Sequence, residues 1–191
     1  MALPRTPIVL AVALSTVGVA TASFVTGNVG AEAGPDVVIS ELMIDPKDVY
    51  DSRGEWIELH NRGDAPADLA GWRITDGRLE NVVLPSLAVA PGERVVLARN
   101  GDTYVNGGAE ADWVYGNRIV LYNTSDRVIL SNAAGEEQDR VDWYPGTGIT
   151  APVGRSLALA RPDADTADPA SWCASTGVMT RGDLGSPGAP N

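Results

Sequence analysis

The residues best equipped for chemistry in this sequence are acidic. Asp163, Asp165 and Asp168 recur through the run PDADTADP, and spaced carboxylates in a loop can supply several of the ~6–8 oxygens that a calcium ion takes. The glycine and closing glutamate of an EF-hand loop are missing here, so the rival reading is an Asp-rich turn leading to Trp172. Glu41, Glu55 and Glu58 raise a second chemistry, because a glycosidase needs two carboxylates at a fixed separation across a cleft. Glu55 and Glu58 are three apart on a strand and so project to opposite faces. All three glutamates are expected to cap turns or face water.

His60 is the only histidine. Without a second histidine or a thiol beside it, it builds no zinc site, and no Gly-x-Ser-x-Gly elbow accompanies it toward a Ser-His-Asp triad. It is expected as a solvated residue on the polar face of its strand. Cys173, the single cysteine, cannot close an internal disulfide, so packing must hold the domain. Beside Trp172 it reads as a small buried apolar residue. Arg-Gly-Asp occurs at 62–64 and 181–183, where turn chemistry alone accounts for Gly-Asp. Asn123-Thr124-Ser125 is a glycosylation acceptor pattern on an expected turn. No catalytic set and no cofactor are expected, calcium at Asp163, Asp165 and Asp168 being the one candidate.

Strands must position these residues. The central stretch is Gly54 to Asp76, GEWIELHNRGDAPADLAGWRITD, read as two strands joined by a short polar turn. Ile57 and Leu59 alternate with Glu58 and His60, the period of a strand with one face buried. Val37 to Ile44 is a strand ended by Asp45-Pro46, and Lys47 to Gly54 a polar loop. Asp76-Gly77 and Ala90-Pro91-Gly92-Glu93 read as turns, with a short strand from Val82 to Leu84 and another from Arg94 to Arg99. Asn100 to Gly116 is the longest internal connection. Alternation resumes at Ile119 to Tyr122, Val128 to Leu130 and Arg140 to Tyr144, and Ser156 to Ala160 reads as a last strand. One helical turn is expected at Asp168 to Ser171, with Asp as cap and Pro in the first turn. Nowhere does an apolar helical stripe run for three turns. The 21 glycines and 13 prolines are spread along the chain, and the whole reads as an all-β, immunoglobulin-like β-sandwich.

The formal net charge of −11 argues against nucleic acid, since that binding rests on Lys and Arg neutralising phosphates. Residues 1–33 stand apart from the domain at 34–191. Arg5 is the only charge before Glu32, and Ile8 to Ala20 has the length of a signal-peptide core, with small-x-small cleavage patterns ending at Ala22 and Ala33. The alternative is an uncleaved membrane anchor over residues 8–25. No cysteine lies there to carry a lipid. The expected location is extracellular or periplasmic, or membrane-anchored if the leader is retained.

The ordered motifs ISELM, GEWIELHN, ADLAGWRITDG, LAVAPGERVVLAR, IVLYNTSDRVILSNAAGEEQDRVDWY, GRSLALARPD, SW and GSPGAPN resemble the lamin tail domain family, prokaryotic exported type. The strongest are Glu55 to Asn61, Leu69-Ala70-Gly71-Trp72, and the pairing of LYNTSDRVIL with GEEQDRVDW. The resemblance implies an immunoglobulin-like sandwich with a tethering or binding role. Asp45-Pro46 stands where Asn-Pro is common and Ser125-Asp126 where Gly-Asp is common, and both still form turns. No coiled-coil rod precedes the domain in this sequence, so a filament role is not carried over.

The expected function is therefore an exported, non-catalytic binding or tethering module for a protein or cell-envelope polymer. Its contact regions are expected at Asn100 to Gly116 and Thr147 to Arg155, because small sandwiches bind through end loops and exposed edges. The alternatives are a calcium-dependent or carboxylate-based hydrolase and a self-assembling surface protein.

Overall fold

Short runs of Val, Ile and Leu separated by Gly, Pro, Asn and Asp form a ladder of brief strands in the computed structural model, which describes residues 34–191. The expected leader over 1–33, with its apolar segment 8–25, lies outside the described residues. In chain order the strands are β1 (Val37–Met43), β2 (Trp56–Asn61), β3 (Ala67–Asp68), β4 (Arg73–Thr75), β5 (Asn81–Val83) and β6 (Ala88–Val89). They continue as β7 (Arg94–Ala98), β8 (Trp113–Val114), β9 (Asp126–Ser131), β10 (Glu137–Trp143), β11 (Leu157–Leu159) and β12 (Trp172–Ala174). Six strands make one sheet in the order β12-β11-β1-β2-β7-β8, and four make a second in the order β10-β9-β4-β5. All pairings within these sheets are antiparallel except β7 with β8.

The two sheets face each other across the main core. Ile39, Leu42, Ile57, Leu59 and Leu97 come from the larger sheet, and Ile74, Val82, Leu130, Val141 and Trp143 from the smaller. Each large apolar side chain buried this way contributes roughly 1.5–3 kcal/mol. The fold is the immunoglobulin-like β-sandwich that the alternation predicts. Among the described residues no helix is long and apolar enough to cross a membrane.

Several local expectations change. Gly54 to Asp76 is not a hairpin: β2 pairs with β1 and β7, whereas β4 pairs with β5 and β9. The intervening residues cross from one sheet to the other. Asn61 holds that crossing, donating from Nδ2 to the carbonyls of Ala65 and Val89, both at 2.9 Å. The loop after Lys47 contains one helical turn, Asp51–Gly54. Ile119 and Leu121 are buried but join no ladder. Beyond β11 the chain adds β12 at the sheet edge rather than ending as coil. The helical turn at Pro169–Ser171 forms as expected, and Asp168 accepts the Ala170 N–H.

The largest departure concerns β2, which is buried on both faces along its whole length. Its inner face meets the main core. On the outer face Trp56 packs with Met43, Val96, Ala98, Ala109 and Met179 in a second apolar cluster. Residues from the 100–112 loop and from the segment after β12 therefore cover the face that alternation assigns to water.

Candidate functional site

The glutamates expected to face water are almost wholly enclosed: Glu41 and Glu58 have no exposed surface and Glu55 has 1 %. A β-bulge explains the first pair. The register of β1 on β2 slips between Ile39 and Glu41, so that Ile39 lies opposite Leu59 while Glu41 lies opposite Glu58. A bulge inserts one unpaired residue and re-aims the side chains after it. Ile39 and Leu42 thus both reach the inner core, and Glu41 faces outward beside Glu58.

Each carboxylate of this pair is met by donors from distant chain. Glu41 accepts from Ser156 Oγ, from Ser186 N at 2.8 Å and from Ser186 Oγ at 2.9 Å. Glu58 accepts from Ser40 Oγ at 2.6 Å and from Gly188 N at 2.7 Å. Arg94 Nε lies 3.3 Å from Glu58 Oε1, close enough to pair but not aligned as a hydrogen bond. Asn191 completes the cover, its Nδ2 donating to the carbonyls of Ser40 (3.0 Å) and Leu159 (3.2 Å). Residues 184–191 therefore lie latched over the two glutamates.

Burial raises the Glu41 carboxyl above the usual carboxylate range, against the pull of its serine donors. It raises Glu58 to about 7, with Ser40 and Gly188 opposing and the Glu41 charge adding to the rise. One guanidinium faces two carboxyls here, so a single retained proton makes the pair and Arg94 neutral together, and the proton belongs to the pair. Glu41 offers one seat for that proton. Ser186 Oγ has one hydrogen and lies 2.7 Å from Asn191 Oδ1. It can donate there while accepting from a protonated Glu41 Oε2.

His60 is also buried rather than solvated, at 4 % exposure. Burial and the nearby Arg94 and Arg62 lower its pKa, favouring the neutral ring. Glu55 is raised to about 7 by burial, opposed by the Leu121 N–H (3.1 Å) and by Arg99 Nη1 (3.0 Å). It ties β2 to the 118–121 segment. Asp139 and Asp183 play similar parts that residue type alone does not reveal. Asp139 accepts from Ile39 N at 2.7 Å and from Thr166 Oγ1 at 2.6 Å. Asp183 accepts from Lys47 N at 3.0 Å and Asp48 N at 3.2 Å.

The calcium candidates are used separately. Asp163 is exposed and lies 3.6 Å from Arg161, Asp165 accepts from Ala167 N at 3.0 Å, and Asp168 accepts from Ala170 N at 2.9 Å. They are not brought together, and among the described residues no three His, Cys, Asp or Glu side chains are grouped to hold a metal ion. Cys173 is exposed, contrary to the buried reading, because alternation along β12 turns Trp172 inward and its neighbour out. Of the Arg-Gly-Asp sequences, Asp183 is buried at 2 % exposure, and Arg62 is held by Asp36. Asn123 of the glycosylation pattern donates to Asp51 Oδ2 at 3.2 Å.

Three loops converge on the surface. Tyr50 precedes and Arg53 lies within the helical turn Asp51–Gly54, Tyr104 stands on the 102–106 turn, and Arg181 precedes the buried Asp183. With Lys47 and Asp48 they line a groove of about 480 Å³. Tyr50 is 75 % exposed and Tyr104 74 %, and the Arg181 guanidinium lies 3.9 Å from the centre of the Tyr104 ring. Buried polar side chains hold the rims. Asn106, 1 % exposed, donates to the carbonyls of Asn100 and Ala109, both at 2.8 Å, and accepts from Gly108 N and Ala109 N. Asp183 fixes residues 47 and 48 from the other side. A second groove of about 510 Å³ runs along β10, lined by Glu137, Arg140, Asp142, Tyr144, Thr147 and Thr166 among others.

Among curated proteins none matches this chain. The family model described as Lamin Tail Domain matches residues 30–145, a span that runs from before β1 to just past β10, while β11, β12 and the latched 184–191 segment lie beyond it. With more than half of its length matched and the sandwich in place, this chain belongs to the lamin tail domain family.

Proposed function

We propose that the protein is a non-catalytic binding or tethering module, exported by residues 1–33 and presented to a protein or polymer of the cell envelope or extracellular space. The observation that carries this reading is the use to which the buried acids are put. Glu41, Glu55, Glu58, Asp139 and Asp183 each accept hydrogen bonds from donors distant in sequence. The acidic chemistry of the domain is directed at fixing loops, and rigid loops on a sandwich make a recognition surface. The leader composition, one arginine followed by an apolar run and small-residue cleavage patterns, supports export. The hydrolase alternative draws nothing from the facing glutamates, since residues 184–191 cover them.

Fractionation of cells that express the full chain tests the proposal. The expected result is a mature protein beginning after Ala22 or Ala33, by mass spectrometry, retained on envelope fractions with a co-purifying partner. Recovery from the cytoplasm with an intact start, or free in the medium with nothing bound, would overturn it. A broad screen for esterase, phosphatase, nuclease and glycosidase activity is expected to be negative.

A further inference from the structure

The groove between residues 47–53, 104–105 and 181 has chemistry unlike the rest of this acidic surface. Lys47, the only lysine of the chain, lines it with Arg53 and Arg181. Among the described residues none of these three cations has a carboxylate within ion-pair distance, although six other arginines do. Asp48 is the one acid in the lining. The Arg181 guanidinium lies 3.9 Å from the centre of the Tyr104 ring, and a guanidinium edge matches a carboxylate with two parallel N–H bonds. Tyr50 and Tyr104 add two rigid rings, apolar on the face and polar at the tip. The volume lies within the range of small-ligand sites.

Building on the binding-module reading, we infer that this groove holds a carboxylate-bearing sugar chain, an acidic polysaccharide. The tyrosine rings lie against the apolar faces of the sugar rings, and Lys47, Arg53 and Arg181 take their carboxylates. A protein partner would call for an apolar pocket that a side chain can fill and dry, whereas both tyrosines here stand about three-quarters exposed. A nucleic acid is held by a basic stripe that neutralises successive phosphates, whereas the cations here are gathered in one groove beside two tyrosine rings. Acidic sugar chains share the anionic group but present an apolar ring face beside it, which is what aromatic rings and unpaired cations together recognise.

Calorimetric titration of the full chain with an oligogalacturonate tests the inference, alongside the methyl-esterified oligosaccharide, a poly-glutamate peptide and an oligothymidylate of matched charge. The oligogalacturonate is expected to bind, with affinity falling as salt rises, and the ester at least about tenfold more weakly. Tyr104→Ala and Arg181→Gln, both at exposed positions, are each expected to cost about tenfold in affinity with the melting midpoint unchanged. Equal binding of the ester, of the peptide or of the oligothymidylate would overturn the inference, as would unaltered binding by both variants. Envelope retention separates the two levels. If the wild type and the double variant are retained alike, the groove is not the site and the tethering reading stands. If the wild type itself is not retained, that reading fails too.

Discussion

Glu41 and Glu58 sit directly opposite each other on neighbouring antiparallel strands, both enclosed, because the bulge in β1 turns Glu41 to the face that Glu58 already occupies. Two like charges so placed cannot both be ionised cheaply. The donors from Ser40, Ser156, Ser186 and Gly188 make the arrangement tolerable.

The first expected consequence is a stability that falls as pH rises. Glu55 and Glu58 titrate near 7 in the folded domain against 4.5 ordinarily, so the folded state holds protons that the unfolded chain has already released. Their stabilisation is complete below about pH 4.5 and is lost as pH climbs through about 7, on the order of a few kcal/mol for Glu55 and for the Glu41–Glu58 pair taken together. Glu41 and Asp139 shift in the same direction. His60 opposes them: its lowered pKa contributes stability above its usual 6.5 that is lost as pH falls through the folded value. Calorimetric melts are expected to give a higher midpoint at pH 5 than at pH 8. An equal or lower midpoint at pH 5 would refute protonated burial.

Substitution at Glu41 separates charge from hydrogen bonding. Glu41→Gln keeps the shape and supplies a donor where the carboxyl holds its proton, so urea denaturation at pH 5 is expected to show a change of under about 1 kcal/mol. The pH dependence is expected to flatten. Glu41→Ala leaves the Ser156 hydroxyl and the Ser186 N–H without their acceptor beside a cavity, and is expected to cost about 2–4 kcal/mol. If Gln proves as damaging as Ala, Glu41 is ionised at pH 5.

Stopping the chain before Ser186 removes the donors of Ser186 and Gly188 and the Asn191 amide in one step. The two glutamates would then lie opened to water, with only Ser40, Ser156 and Arg94 left as partners. A loss of at least about 3 kcal/mol is expected, with rapid proteolysis near 156–175. A truncated protein as stable as the full chain would show that the latch contributes nothing.

The groove rim depends on Asn106, which makes four hydrogen bonds inside its own loop. Asn106→Ala is expected to cost about 2–3 kcal/mol and to abolish hydrogen-exchange protection at Ala109. Protection that survives the substitution would mean that the 100–112 loop is held by its apolar contacts alone.

Asp168 tests the reading of the acidic run. As a cap on Ala170, Asp168→Ala is expected to cost about 1 kcal/mol and Asp168→Asn almost nothing. Millimolar calcium is expected to leave the melting midpoint of the wild type in place. A calcium-dependent rise abolished by Asp165→Asn would restore the metal site.

The sandwich was legible because β9 and β10 obey the simple rule: Val128, Leu130, Val141 and Trp143 alternate inward as the period requires. The turns at Gly77 and Gly92, both with positive φ, were legible from residue chemistry. The two-sided burial of β2 was not. Alternation reports only that one face is more apolar than the other, and Glu58 and His60 look the same whether water or a folded segment lies above them. The cover comes partly from the 100–112 loop and partly from residues more than a hundred positions away, and nothing local to GEWIELHN signals it. The bulge at Ser40 and Glu41 was hidden for a similar reason, since VVISELMI stays apolar on either side of the slip. Cys173 was misplaced by composition: a small thiol beside a tryptophan suggests burial, but strand parity puts the two on opposite sides. Residues 47–53 and 181 read as loop and turn in the sequence, and only the tertiary fold brings them together with Tyr104.

The bonds from Glu41 to Ser186 and from Ser40 to Asn191 span 145 and 151 positions. Such closures must wait for nearly all of the intervening chain, and topologies dominated by distant pairings assemble in milliseconds to seconds rather than microseconds. During synthesis β1 and β2 therefore stay open on one side long after they leave the ribosome. If the chain is exported as proposed above, that delay keeps the polypeptide threadable until the domain shuts.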